Sequence, residues 1–251
     1  MRLFDLTSRV AIVTGGNGGI GLGMARGLLE AGARVVIAGR DRAKAEAALA
    51  DLAGEHAFLE ADVTSEAACR QLVAGAVARF GRLDILVNNA GSSIRKAPEA
   101  YTEAEWHAVL DANLTSTFLC CKAAYPVMKQ GGGGKIINIG SMMSIFGAPY
   151  AAAYAASKGG VVQLTKSLAT AWAGDGIQVN AVLPGWIDTD LTRRAREQVE
   201  GLHQHVLSRT PAGRWGMPED MAGIAVFLAS SGADFVTGAA IPVDGGFSSR
   251  A

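Results

Sequence analysis

Tyr154-Ala155-Ala156-Ser157-Lys158 sets a phenol and an ammonium four residues apart, and on a helix that spacing puts both on one face. A phenol with a pKa of about 10 is a poor base at neutral pH. A neighbouring cation stabilises the phenolate and lowers that pKa, which suits the pair to proton exchange with a reacting oxygen. The same spacing also occurs as an ordinary helix-surface pair, so other residues must decide between the readings. Ser141 follows a short apolar run upstream, and Asn113 falls inside the preceding helical pattern. All of these side chains would have to meet at one edge of a sheet.

The elements for that are legible. Short β-branched runs at Val10–Thr14, Arg34–Ala38, His56–Glu60, Ile85–Asn88, Lys135–Ile139, Gln178–Leu183 and Ala240–Val243 alternate with helical stretches near 18–32, 41–53, 64–80, 102–129, 152–174 and 217–230. That alternation predicts βαβ units and an α/β fold, a single-domain, doubly wound, parallel seven-stranded sheet of Rossmann type spanning 1–251. The segment at about 189–209 reads as a helical insertion, a lid over a substrate. Ser141 follows the fifth strand and Asn88-Asn89-Ala90-Gly91 ends the fourth, so both belong to the carboxyl edge, where doubly wound sheets bind ligands.

The first strand runs into Gly15-Gly16-Asn17-Gly18-Gly19-Ile20-Gly21 and then a helix. Glycines allow backbone N–H groups to approach a pyrophosphate, and a helix N-terminus offers unpaired donors and positive potential. A bland glycine-rich turn is the alternative, weakened by the second strand, after which Gly39 stands where an NAD-selecting acid is expected. Arg40 is placed to contact a 2′-phosphate, or else is a solvated residue at a helix start with Asp41 as N-cap. The balance favours NADP(H) over NAD(H), with Asp62 and Val63 beside the adenine.

Composition narrows the partners. The formal net charge is zero and no Lys/Arg stripe is present, which speaks against nucleic acid and anionic membrane and for a small molecule. Cys69, Cys120 and Cys121 show no C-x-x-C spacing, so a cytoplasmic, reducing location is expected. There is no signal-peptide pattern and no apolar run of about 20 residues. His203-x-His205 lacks metal-binding spacing, and no metal is expected. Trp186 and Trp215 are expected to border the substrate cavity. The helix from Tyr154 to Trp172 carries apolar residues on more than one face and only Lys158 and Lys166 as charges, which predicts that it also packs on another subunit.

Taken together, Thr14-Gly15-x-x-x-Gly19-Ile20-Gly21, Asn88-Asn89-Ala90-Gly91, Asn113, Ser141 thirteen positions before Tyr154, Tyr154-x-x-x-Lys158 and Pro184-Gly185-x-x-x-Thr189 resemble the short-chain dehydrogenase/reductase family over essentially the whole chain. The resemblance implies hydride exchange between a nicotinamide and an alcohol/carbonyl pair. Tyr154 would be the acid/base, with Ser141 on the substrate oxygen. Lys158 would tune Tyr154 and bind the nicotinamide ribose, and Asn113 would hold a water. It implies cofactor contacts at Gly15, Asn17, Gly19, Ile20, Gly21, Arg40, Asp62, Val63, Asn89, Ala90, Gly91, Tyr154, Lys158, Pro184, Gly185, Ile187 and Thr189. Substrate contacts are expected at Ser141, Arg95, Met143, Tyr154 and Trp186. It also implies a homotetramer using the 102–129 helix and the tail around Phe247. Pro211–Gly216 and Val243–Gly246 resemble sugar-acid members acting on 2-keto-3-deoxygluconate or gluconate. Arg95 or Lys96 would then bind a carboxylate, unless both are plain loop charges. The alternatives are a 3-oxoacyl-acyl-carrier-protein reductase and a non-catalytic nicotinamide-binding regulator.

Overall fold

Runs such as Val-Ala-Ile-Val-Thr and Arg-Val-Val-Ile-Ala-Gly are apolar on both sides of the chain, the pattern of strands covered on both faces. In the computed structural model, which describes residues 2–250, they lie side by side inside one parallel sheet. Its strands are β1 (Val10–Thr14), β2 (Arg34–Gly39), β3 (His56–Glu60), β4 (Ile85–Asn88), β5 (Gly134–Ile139), β6 (Ile177–Pro184) and β7 (Ala240–Val243), in the order β3-β2-β1-β4-β5-β6-β7. Each strand agrees with its sequence expectation to within a residue at either end. The order reverses between β1 and β4, paired through Val13 and Val87, and that crevice is the natural ligand site of a doubly wound sheet.

Alternate strand residues supply two cores. Ala11, Val13, Val35, Ile37, Ile85 and Val87 pack on α1 (Gly19–Glu30) and α9 (Ala222–Ala229). Val10, Ile12, Val36, Leu86 and Ile136 pack on α3 (Glu66–Phe80), α5 (Ser116–Gln130) and α6 (Ala152–Trp172). The remaining helices are α2 (Arg42–Ala50), α4 (Glu103–Leu110), α7 (Asp190–Gln198) and α8 (Leu202–Arg209).

Two differences from the sequence expectations have local causes. The stretch 102–129 is not one regular helix: α4 and α5 are joined by a π-helical turn, Asp111–Thr115, a widening that hydrophobic periodicity does not register. The insertion at 189–209 is two helices, divided where Gly201 takes a φ of 70°. The surplus apolar positions of α6 are largely covered inside the chain. Val161 and Leu168 are buried, Trp172 stacks on Tyr125 with centroids 4.7 Å apart, and Gly160 faces Leu114 of the π turn. Phe247, expected at a subunit interface, is only 3% exposed and packs edge-on to Phe146 within its own chain.

Helix α1 meets the segment before α9 through Gly23 and the start of α9 through Gly27, one turn apart. A methyl at Gly23 would overlap the Pro218 carbonyl oxygen, and one at Gly27 would stand 2.7 Å from the Ala222 Cβ. Gly23→Ala gains up to about 1 kcal/mol of helix propensity, but overpacking costs about 1–3 kcal/mol and pushes against rigid backbone. A net fall in thermal midpoint of a few degrees is expected by calorimetry; an unchanged or raised midpoint would show that this contact yields freely.

Candidate active site

The ends of β1 and β4 are tied together before any ligand is considered. Thr14 Oγ1 accepts hydrogen bonds from the backbone N–H groups of Asn89 and Ala90, both at 3.0 Å. The Asn89 amide in turn donates to the carbonyls of Thr14 and Gly15 at 3.0 and 3.1 Å. Gly15 and Gly19 adopt φ of 63° and 51°, open to glycine at little cost. Helix α1 begins at Gly19 with no side-chain cap, so its first-turn donors are left for an anion. This turn forms one end of a cavity of about 350 Å³.

The other end is built on β5 and α6. Lys158 is 4% exposed, and its Nζ donates to the Ile139 carbonyl at 2.7 Å. Burial pulls its pKa down to about 8. Tyr154 lies one turn away, its ring centroid 5.7 Å from Lys158 Nζ. Burial raises the Tyr154 pKa, while a hydrogen bond with Ser141 and the charge of Arg95 act to lower it. The net direction is upward, opposite to the one the Tyr/Lys spacing suggested. Lys158 has turned its ammonium to Ile139, and desolvation outweighs what remains. The Ser141 oxygen accepts from Met143 N at 3.1 Å, capping the turn Met142–Ser144.

Asn113 sits in the π turn, fully buried, with Nδ2 on the carbonyls of Ser92 and Val109, each at 2.8 Å, and Oδ1 on Ser92 N at 3.1 Å. A side chain at Gly91 would overlap Asn113 Oδ1 and come within 3.6 Å of Lys158 Nζ, which is why glycine follows Asn-Asn-Ala. The side chain of Asn113 therefore braces the loop after β4, and its main-chain carbonyl accepts from Thr117 Oγ1 at 2.8 Å.

Of the expected residues, the cavity brings together Gly15, Asn17, Gly19, Ile20, Asn89, Ala90, Gly91, Arg95, Asn113, Ser141, Met143, Tyr154, Lys158, Pro184, Gly185, Trp186, Ile187 and Thr189. Gly21, Arg40, Asp62 and Val63 do not line it. Gly21 packs under the turn beside Asn89; Arg40 is exposed; Asp62 accepts from Thr64 N and Oγ1 at 3.1 and 2.8 Å. Trp215 stands behind the wall rather than on it, edge-on to Trp186 at 5.6 Å, with Arg196 over its ring and its indole N–H on His203. Asp41 is indeed the N-cap of α2, accepting from Lys44 N at 2.9 Å.

The substrate end separates two neighbouring cations. Lys96 Nζ lies 2.7 Å from both Glu105 oxygens, whereas Arg95 reaches only the Gln198 side chain and the Leu191 carbonyl, at 3.3 and 3.2 Å. Among the described residues no carboxylate pairs with Arg95. Sequence reasoning missed Tyr150 and Lys44, which also line the cavity; each lies four residues from a residue already singled out, Tyr154 and Arg40.

The profile of a family described as enoyl-(acyl carrier protein) reductase matches residues 15–248. The 2-dehydro-3-deoxy-D-gluconate 5-dehydrogenase of Dickeya dadantii is 42% identical over 252 residues, covering 100% of this chain and 99% of that protein. A rhamnolipid-biosynthesis 3-oxoacyl-[acyl-carrier-protein] reductase of Pseudomonas aeruginosa is 41% identical, covering 97% and 98%. The crystal structure of a gluconate 5-dehydrogenase from Burkholderia cenocepacia, in complex with NADP and tartrate, superposes with a TM-score of 0.91 at 42% identity, covering 100% of this chain and 99% of that one.

The buried ammonium gives a direct test. In the cofactor-free chain, Lys158 should titrate near pH 8, against about 10.4 for a solvated lysine. Because the folded-state value is the lower one, the unfolded chain binds more protons between the two pKa values, and this group makes stability rise with pH across that window. Carbon-detected titration of the lysine ε-methylenes, assigned with Lys158→Met, would read the midpoint; a value above 10 would mean that the site is wet.

Proposed function

The chain belongs to the short-chain dehydrogenase/reductase family, oxidoreductases acting on CH–OH donors, and from that premise we propose that it interconverts a ketone and a secondary alcohol of a small sugar acid, with NADP(H) preferred over NAD(H). The observation that carries the reading is the convergence of the Tyr154 and Ser141 hydroxyls, Lys158 and the unpaired Arg95 in one cavity with the glycine turn. The residues fit a nicotinamide dinucleotide. The uncapped start of α1 and the turn at Gly15–Gly19 suit its pyrophosphate, while Pro184, Gly185, Ile187 and Thr189 wall the nicotinamide. When bound, it supplies or accepts the hydride.

The chain's own part is position and proton. Tyr154, held protonated by burial, donates to the carbonyl oxygen in reduction and takes the proton back in oxidation. Ser141 donates to the same oxygen and stabilises the charge that develops there. Lys158 would hold the ribose and, through a water at Asn113, replace the Tyr154 proton from solvent. Arg95 pairs with the substrate carboxylate, beside Tyr150, Met143 and Trp186, and helices α7 and α8 act as the lid of one catalytic domain. The NADP preference rests on Gly39, which leaves no acid at the end of β2, on Arg40 beside it, and on the NADP of the B. cenocepacia relative.

Two wider parts of the reading concern location and assembly. The thiols of Cys69 and Cys120 lie 3.5 Å apart and unbonded, in keeping with the cytoplasm; no helix among the described residues is long and apolar enough to cross a membrane. Phe118 on α5 is 43% exposed, and the outer face of α6 is small and weakly charged, with Ala156, Gln163, Ser167 and Thr170. Such faces suit two-fold pairing of helices and assembly as a homotetramer.

Initial rates with NADPH and NADH against sugar acids, neutral polyols, diketones and a 3-oxoacyl thioester test the assignment. Keto sugar acids with NADPH should be fastest, and Arg95→Met should raise their KM more than tenfold while sparing neutral ketones. Preference for the thioester would instead favour the acyl-carrier reading suggested by the P. aeruginosa relative. Tyr154→Phe should lose at least about 100-fold in kcat with NADPH binding intact; retention of a tenth of the rate would remove Tyr154 as the acid. Light scattering at micromolar concentration should give a tetramer, and an active 25.9 kDa monomer would exclude it.

A further inference from the structure

Lys44 is the basic residue that the cavity's dinucleotide end contains and that the motifs do not explain. It stands in the first turn of α2, its backbone N–H fixed by the Asp41 cap, and its side chain crosses to the glycine turn. Its Cε and Nζ lie 3.0 and 3.3 Å from where a Cβ on Gly18 would stand. Its Nζ meets Asp190 Oδ2 at 2.8 Å, and Asp190 opens helix α7 immediately after Thr189, whose methyl lies over Gly19. Both members of the pair line the cavity, yet both side chains are about half exposed or more, and ion pairs so placed are weak. Asp190 has a second cation, Arg193 Nη1 at 3.4 Å, whereas Arg40 lies outside the cavity.

We infer that Lys44 is a phosphate-recognition residue of this cavity, held by Asp190 until a cofactor phosphate displaces the carboxylate. The inference rests on the dinucleotide reading above. One ammonium is shared by two competing anions: the phosphate takes Lys44, and Asp190 falls back on Arg193. Asp190 therefore opposes cofactor binding, while Lys44 favours it. The phosphate is either the pyrophosphate, common to both cofactors, or the 2′-phosphate of NADPH alone.

The test is the dissociation constant of the full chain for NADPH and NADH, read without turnover by quenching of tryptophan fluorescence, in Lys44→Met, Asp190→Asn and the double variant. Lys44→Met should weaken binding about tenfold, the loss of one charge-assisted hydrogen bond, and should flatten the salt dependence of affinity. Asp190→Asn should tighten binding several-fold, and that gain should vanish in the Lys44→Met background. An effect of Lys44→Met on NADPH alone assigns the 2′-phosphate; an equal effect on both cofactors assigns the pyrophosphate. If the two single variants shift affinity in the same direction, or neither shifts it, the pair is a strap and the inference is wrong. A wild-type chain that binds neither cofactor would overturn the reading of the cavity, and this inference with it.

Discussion

A lysine ammonium almost without solvent is the constraint around which this molecule is arranged. Burying a charge is costly unless a polar group receives it, and Lys158 finds that group in the carbonyl of Ile139, the last residue of β5. A helix pinned to a strand end at one point could still slide or roll. Two further contacts prevent this: Ser144 Oγ donates to the Lys158 carbonyl at 2.7 Å, and a buried thread runs from Asn88 through Asn138 to Thr165 at 2.8 and 2.9 Å. These tie β4, β5 and α6 into one unit, and Tyr154 is carried on it. Thr165 is also bonded back to Val161, so the thread ends on a satisfied group.

The π turn has its place in the same logic. An extra residue in the helical path between α4 and α5 brings Asn113 against Ser92, so the loop leaving β4 is braced from the side that faces Lys158. The capping box of Thr102 and Glu105 fixes where α4 starts, and Glu105 also takes Lys96. One carboxylate thus both begins the helix and claims Lys96, so that of the two neighbouring cations only Arg95 lines the cavity.

Helices α7 and α8 share a small core of Ala195, Leu202, Val206 and Trp215, to which charges and aromatic faces add. Asp188 receives Arg193 at 3.1 Å and also Arg196, and Arg196 lies over Trp215 with His203 stacked on that ring. Such contacts order the two helices around that small core.

How much of this the sequence determined divides along physical lines. Short β-branched apolar runs and glycine punctuation depend on local backbone geometry, so the seven strands, their parallel pairing and the glycine turn after β1 were legible in one dimension. The order of the motifs brought Ser141, Tyr154, Lys158 and Asn113 to the same edge for the same reason: strand ends in a parallel sheet share a side. Quantities that depend on solvent exclusion and on long side chains were not legible. The Tyr154/Lys158 spacing implied a lowered phenol pKa, but burial, set by everything packed around the pair, reversed the direction. Arg95 and Lys96 are adjacent and chemically alike until Glu105, nine residues on, claims one of them. Arg40 sits at the expected position and outside the cavity, while Lys44, one helical turn later, lies inside it. Chain order fixes which backbone ends meet; tertiary structure alone decides which flexible charged side chains reach between them, because those contacts join residues far apart in sequence across space that no local pattern encodes.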